Sequence, residues 1–411
     1  GYGVMDLESR RPVTATTHME IGSVTIQFTA AAILQLAETG KLSLDDKLGT
    51  YVPEYAAGRD VTLRQLLQFT SGVPEYFPND DAVAEQVFAK KTTVKEVLDL
   101  FADKPLDFAA GTRAAFNSTN YFLLGLVIER ASGMDYAAYM KRNIFGRAGM
   151  TRTTTIADEE NLKDLARGYT DVGGSMHPTA KTDDLWGRAT FDVVSDVVDM
   201  AKWDAALLNG KIVNRDDVAL MMTPATLPNG ARAPYGMSWI QNQIDEHNMI
   251  WRDGGTIGFV AMNAIYPDDH LILIAAANAN YLMVSPRSIT AAVFDALHPE
   301  LLAKRLTPAA GEDAAITVRA REMIHALQTG TVERSVLTEQ LSEKLTPAAL
   351  DKIKVVLAVA GEPRDLIFKG QQSSQTGATY DYLVRFKNQN WSFRMAVDAS
   401  GKCSSIGLGP A

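Results

Sequence analysis

The stretch MEIGSVTIQFTAAAILQLAETGKLSLDDKL, residues 19–48, decides the fold of this 411-residue chain. Apolar side chains fill most positions from Ser23 to Glu38, and Gly40 follows as a suitable stop, so the pattern predicts a buried helix. A serine at the start of such a helix is placed like a nucleophile, but its hydroxyl needs a base to take the proton. One helical turn after the serine stands Ile26, whose alkyl side chain has no acid–base chemistry.

Outward from this stretch, the chain is predicted to form two domains of the α+β class. In the first domain, helices are predicted at 62–69 with a Thr62 cap, at 119–131, at 195–208 with a serine cap, and at 288–297. A hairpin is predicted in which the strand 257–266 pairs with the strand 271–277. The first domain is placed at 1–305, with an antiparallel sheet flanked by helices plus a helical region. A small α+β domain is placed at 312–411, with helices at 315–328 and 336–358 and strands at 380–386 and 391–397.

Composition excludes several classes of partner and cofactor. The net charge is −9 and no run of Lys or Arg occurs, so nucleic acid is not expected as a partner. No apolar run reaches the length of a membrane span, so stable membrane insertion is not expected. The one cysteine, Cys403, excludes an intramolecular disulfide and a cysteine metal cluster, and no histidine pair has metal-ligand spacing. We therefore expect no metal and no cofactor, a small molecule as the partner, and either a monomer or an oligomer.

Four segments together resemble the serine β-lactamase superfamily, in the branch of class C β-lactamases, D-alanyl-D-alanine peptidases and carboxylesterases. They are GSVTIQFTA at 22–30, LLQFTSG at 66–72, AGTRAAFNSTNY at 110–121 and WRDGGTIGF at 251–259. The resemblance covers about residues 1–300 and implies the antiparallel sheet, flanking helices and helical region of that family. It also implies that a helix and strand normally precede the first residue, and a periplasmic or extracytoplasmic location, although no signal peptide is present in this sequence.

The resemblance assigns roles to individual positions, and the proton-handling positions are substituted. Ser23 matches the nucleophile, but Ile26 stands where the family has the lysine of S-x-x-K, which takes the serine proton. Phe116 stands where the tyrosine of a Y-x-N loop relays protons, and Ser118 stands where its asparagine belongs. Losing the groups of one catalytic unit costs several orders of magnitude in rate, so ordinary acyl transfer is not expected.

The third motif and its surroundings are also altered. By the resemblance, Asp253 stands where a histidine or lysine belongs, and Phe69 replaces the histidine that usually precedes Thr-Ser-Gly. The oxyanion hole is retained in principle, because it uses the backbone N–H groups of Ser23 and of Thr256, which follows Gly254 and Gly255.

These substitutions predict a pocket with a changed chemistry. Asp253 is its acidic group, and desolvation beside apolar walls is expected to raise the pKa of this carboxyl towards neutrality. The leading hypothesis is a repurposed enzyme that performs elimination, isomerisation or cyclisation on a small apolar molecule. The predicted lining consists of Ile26, Phe69, Phe116, Asn117, Ser118, Gly255 and Thr256.

Two other function classes remain open at the level of sequence. One is a residual serine hydrolase, an esterase or amidase, in which an unidentified group activates Ser23. The other is a non-catalytic protein that binds a small molecule. A structural role is equally open for the single residues, since Ser23 is suited to cap its helix and Asp253 is suited to be a solvated carboxylate.

Overall fold

The computed structural model describes residues 1–78, 81–172, 175–244, 246–280, 285–387 and 390–410. By its internal contacts the chain separates into two units, Gly1–Thr290 and Ala291–Ala411. The boundary read from the sequence, between 305 and 312, stays a prediction and falls inside the second of these units.

The opening stretch forms the helix on which the first unit is built. A 3₁₀ turn at Gly22–Thr25 leads directly into helix α1, Ile26–Glu38. Every residue of α1 from Ile26 to Leu36 is buried, and the Phe28 ring lies 4.3 Å from the Trp203 ring. The apolar run thus packs on all sides, which confirms the predicted buried helix.

Helices contribute more residues than strands to the first unit. A π-helix at Met140–Phe145 joins two of them. The α-helices are α2 Leu63–Leu67, α3 Asp81–Phe88, α4 Val94–Asp99, α5 Thr119–Ser132, α6 Tyr136–Tyr139, α7 Gly146–Ala148, α8 Asp184–Gly187, α9 Val197–Leu208 and α10 Arg215–Met222. A further helix, α11 Pro286–Leu297, contains the division between the two units.

Three sheets complete the first unit, and the four-stranded antiparallel one carries the site. That sheet has the order β6–β7–β8–β9. Two small sheets have the orders β1–β5–β2 and β10–β3–β4. The strands are β1 Met19–Glu20, β2 Thr154–Thr155, β3 Tyr169–Val172, β4 Ser175–Pro178, β5 Val193–Ser195, β6 Ile240–Ile244, β7 His247–Thr256, β8 Phe259–Tyr266, β9 Leu271–Ala277 and β10 Ala279–Asn280.

Helix starts in the first unit follow local side-chain chemistry. Thr62 caps α2, as the sequence predicts, and the structure adds a reciprocal capping box with Gln65. The predicted serine cap of α9 is wrong, because Ser195 ends strand β5 and the Asp196 carboxylate accepts the hydrogen bonds of the first turn instead. The predicted hairpin is confirmed by the pairing of β8 with β9.

The second unit is an α+β unit whose four-stranded antiparallel sheet has the order β11–β12–β13–β14. The predicted continuous helix at 336–358 is wrong. Thr346 caps a new helix with Pro347 in its first turn, and proline cannot donate the hydrogen bond that would continue the helix before it. The elements are α12 Pro299–Leu306, α13 Ala314–Thr329, α14 Glu339–Lys344, α15 Pro347–Ala360, β11 Pro363–Ser374, β12 Gly377–Phe386, β13 Asn390–Asp398 and β14 Cys403–Pro410.

These elements agree with the predicted α+β class and with a small C-terminal α+β region. Among the helices that the structure describes, none combines the length and the apolar character that a membrane span requires.

Candidate functional site

The backbone of strand β7 lies directly against the turn that carries Ser23. Pairing of β7 with β6 ends at Trp251, so residues 252–256 form a sheet edge along which no described strand pairs on that side. A Cβ on Gly254 would lie 2.6 Å from the Ser23 nitrogen, and one on Gly22, at φ +55°, would lie 2.4 Å from the Gly255 nitrogen. The glycines are therefore needed for this close approach, which brings the nucleophile position to the sheet edge.

A cleft of about 520 Å³ opens between this edge and the 3₁₀ turn. The predicted residues that it brings together are Ser23, Phe116, Asp253 and Gly255. Residues that the sequence did not single out also line it, and those with polar side chains are Tyr235, Arg252, Ser285 and Arg287.

Ser23 is half-buried in the cleft wall, and its hydroxyl has no base beside it. None of the described residues accepts a hydrogen bond from the Ser23 side chain. No lysine or histidine is among the described residues that line the cleft. A serine hydroxyl without a hydrogen-bonded base is a weak nucleophile, so the geometry gives Ser23 no activation.

Arg252 is a charged cleft residue whose side chain is buried. Only 4% of its surface is exposed, and its guanidinium carbon lies 4.5 Å from the centre of the Phe116 ring. Its Nε atom has no hydrogen-bond partner among the described residues. Burial lowers the pKa of Arg252, and the nearby Asp253 carboxylate opposes that shift. An arginine stays charged even so, which makes this a buried cation that faces the cleft.

Asp253 is exposed, which contradicts the desolvation expected for it. Successive side chains of a strand point to opposite faces, so the residue next to the inward Arg252 must point away from Phe116. Trp251 shares that other face, where the guanidinium of Arg287 lies 4.6 Å from its ring centre. The Asp253 carboxylate therefore lies at the cleft rim, in contact with water.

Phe69 and Ile26 were predicted to line the cleft, but both lie in the apolar core and neither is among the lining residues. Ile26 is 2% exposed and belongs to the main apolar core. Phe69 is fully buried at φ +58°, and its ring centre lies 5.0 Å from that of Phe116 and 5.2 Å from that of Tyr235. Phe69 thus holds the rings of Phe116 and Tyr235 in place, and Ile26 supports the start of α1, the helix that follows Ser23.

The remaining predicted lining residues make structural hydrogen bonds. The Asn117 side chain donates to the Val73 carbonyl and accepts from the backbone N–H of Asn120 at 3.0 Å. The Ser118 backbone N–H donates to a Glu75 carboxylate oxygen at 2.6 Å. These contacts fix the loop that positions Phe116.

Thr256 lies beside a buried carboxyl instead of the cleft. The carboxyl is that of Glu20, and burial raises its pKa to about 8, with a further increase from the neighbouring Glu159. A carboxyl with this pKa is protonated at neutral pH.

Arg252 is the main residue that the sequence argument missed. It is adjacent to Asp253, and only the phase of the strand decides which of the two faces Ser23. The available signal was the alternation along β7, in which Ile250, Arg252 and Gly254 share one face. Tyr235 and Arg287 come from other segments, and no local pattern connects them to the motifs.

Known proteins are similar to this chain in sequence and in fold. Penicillin-binding protein 4* of Bacillus subtilis (strain 168) is 28% identical over 298 residues, which are 67% of this chain and 64% of that protein. Protein flp of Staphylococcus aureus (strain MW2) is 27% identical over 288 residues, 68% of this chain and 56% of that protein. The chain therefore spans less than two thirds of the length of either relative.

Solved structures are also similar to this chain. A penicillin-binding protein from Bacillus halodurans superposes with a TM-score of 0.64 at 29% identity, over 72% of this chain and 91% of that one. The octameric penicillin-binding protein homologue from Pyrococcus abyssi has a TM-score of 0.64 over 100% of this chain and 91% of its own, and at 20% identity it shows likeness of fold alone. The beta-lactamase family model matches residues 1–298, and the chain belongs to the beta-lactamase family.

Proposed function

We propose that the Ser23 cleft binds a small aromatic anion and does not transfer acyl groups through the serine. The observation that carries the proposal is Arg252, a buried cation in the cleft with an unpaired Nε–H. A buried charge is costly unless a partner compensates it, and no described carboxylate forms an ion pair with this guanidinium. A ligand carboxylate would supply that partner through paired N–H···O bonds.

The aromatic part of the ligand is inferred from the rings beside the guanidinium. Phe116 lies under Arg252, and its ring centre is 6.2 Å from that of Tyr235. Aromatic ligands pack on such rings in offset or edge-on geometry. Arg287 at the rim adds a second positive charge, and its exposure suits it to attract the anion from solution.

The first test compares phenylacetate with its neutral analogue phenylacetamide by calorimetry. Phenylacetate should bind the unmodified chain at least about tenfold more tightly, because only the carboxylate pairs with Arg252. Arg252→Gln should remove this difference. The matched control is Arg113→Gln, since Arg113 lies 4.4 Å over the Phe108 ring but outside the cleft lining. Equal binding of both compounds, or an equal effect of both substitutions, would contradict the proposal.

Acid–base catalysis by Asp253 is the second candidate function, and it corresponds to the repurposed-enzyme hypothesis. The observation in its favour is that Asp253 lines the same cleft, next to the cation that would hold an anionic substrate. Its exposure counts against it, since an exposed carboxylate lacks the desolvation that tunes catalytic carboxyl groups.

Replacing Asp253 by asparagine separates the two candidates. If the cleft only binds an anion, Asp253→Asn removes a like charge from the ligand's surroundings. The affinity for phenylacetate should then rise about twofold to fivefold, as expected for a partly solvated charge pair. If Asp253 is catalytic, the unmodified chain should turn over substrates that contain an abstractable proton, and the variant should not. Proton-exchange NMR would detect this difference.

A further inference from the structure

The C-terminal unit contains a cavity of its own, of about 320 Å³. Its walls come from α13, α14, α15 and the strands β13 and β14, and the lining residues include Leu327, Leu341, Leu357, Trp391 and Ile406. The cavity has the size of a small-molecule site and lies entirely among residues of this unit.

The walls are apolar, and two of the lining residues carry polar groups. Leu341 is 7% exposed and Leu357 is fully buried, so the interior offers alkyl surface on several sides. None of the described lining residues is acidic. Such walls are complementary to an alkyl chain, because apolar surface is removed from water on both partners.

Trp391 supplies an unpaired hydrogen-bond donor. The residue is 6% exposed, and its indole Nε1 has no hydrogen-bond partner among the described residues. An indole nitrogen can only donate, and buried donors are almost always paired in folded proteins. The ligand of this cavity should therefore carry an acceptor oxygen.

Lys352 supplies the charge. It lies on α15 and lines the cavity, while its exposed position leaves the ammonium group in contact with water. No described carboxylate forms an ion pair with it. A ligand acceptor that is also an anion would interact with this ammonium as well as with the indole N–H.

We propose that the C-terminal unit binds a medium-chain fatty carboxylate in this cavity. The alkyl chain occupies the apolar interior, and the carboxylate accepts the Trp391 N–H bond and faces Lys352. This site is independent of the Ser23 cleft, and its ligand need not be related to the ligand proposed there.

The test is an NMR titration of the full chain with octanoate, followed at the indole N–H resonances. The chain has five tryptophans, and Trp391→Phe identifies the resonance of interest because it alone disappears. We expect octanoate to shift this resonance saturably, and octylammonium to bind about tenfold more weakly because its charge has the wrong sign.

Matched variants decide whether the lining residues are responsible. Lys352→Gln should weaken octanoate binding about tenfold, whereas Lys354→Gln, on the same helix but outside the cavity lining, should leave it unchanged. Ile353→Phe should fill the cavity and abolish the shift while circular dichroism shows a folded chain. The proposal is overturned if octanoate gives no saturable shift, if octylammonium binds equally well, or if the two lysine variants behave alike.

Discussion

Two neighbouring charged residues of the cleft differ in their burial. The guanidinium of Arg252 is buried against a phenylalanine ring, whereas the Asp253 carboxylate is exposed at the rim. A buried arginine retains its charge where a carboxyl group would neutralise, so the cleft interior is positive. The residue that sets the chemistry of the site is therefore the arginine, and a ligand of opposite charge follows from it.

Glu20 gives a prediction for the pH dependence of stability. Burial raises its pKa to about 8 from an ordinary value of 4.5, so folding takes up a proton at any pH between those values. The unfolding free energy should therefore fall as pH rises from about 4.5 to 8, by up to about 1.4 kcal/mol per pH unit from this group. Burial also raises the pKa of Asp192 to about 8, which adds a fall in the same direction.

Glu20→Gln isolates the contribution of that group. The variant keeps the shape but does not titrate, so its stability relative to the unmodified chain should increase between pH 5 and pH 8. Denaturant unfolding at several pH values measures the difference, and Glu8→Gln at an exposed position is the control. Parallel stability curves for the unmodified chain and Glu20→Gln would show that the Glu20 carboxyl does not take up a proton on folding.

Among the elements, β7 and the 3₁₀ turn before α1 depend on each other. In Gly254→Ala the added Cβ would lie 2.2 Å from the Ile21 carbonyl oxygen and would push strand and turn apart. The expected cost in unfolding free energy is at least about 1–3 kcal/mol, with loss of phenylacetate binding.

Gly255→Ala is the matched control for this close approach. Its Cβ would meet nothing nearer than the Phe259 carbonyl oxygen at 3.7 Å, an ordinary contact. Thermal unfolding of both variants tests the argument. Equal stability of the two variants would show that the glycine at 254 is not required for packing.

Elements with clear periodicity or capping chemistry could be predicted from the sequence. Helix α1 follows from its apolar run, and α2 follows from the Thr62 cap. Strands β11 and β14 were not predicted, because neither has a regular alternation of apolar and polar residues and long-range pairing defines them. The break before α15 was missed although Pro347 marked it.

The candidate site could be predicted only in part, because strand phase and tertiary folding decide which other residues face the cleft. Motif positions locate Ser23, Phe116 and Gly255 at the cleft. Whether Arg252 or Asp253 faces inward depends on the phase of one strand, and a shift by one residue reverses every side chain. Tyr235 and Arg287 reach the cleft through tertiary folding alone.

At the scale of the whole molecule, the first unit has the fold of the beta-lactamase family. Among the described residues, none accepts a hydrogen bond from the Ser23 side chain. Ser23 shares the cleft with apolar and aromatic residues and with the charged residues Arg252, Asp253 and Arg287, and no lysine or histidine is among the described lining residues. This lining supports our proposal that the cleft recognises an anion.

The most direct test of this account is the intact mass of the full chain after incubation with benzylpenicillin. This compound carries an aromatic ring and a carboxylate, so it matches the cleft, and its reactive ring acylates an activated serine. We predict an unchanged protein mass, together with competition against phenylacetate that depends on Arg252. A mass increase of one penicilloyl group that is absent in Ser23→Ala would contradict the central claim, because it would show that Ser23 is still an activated nucleophile.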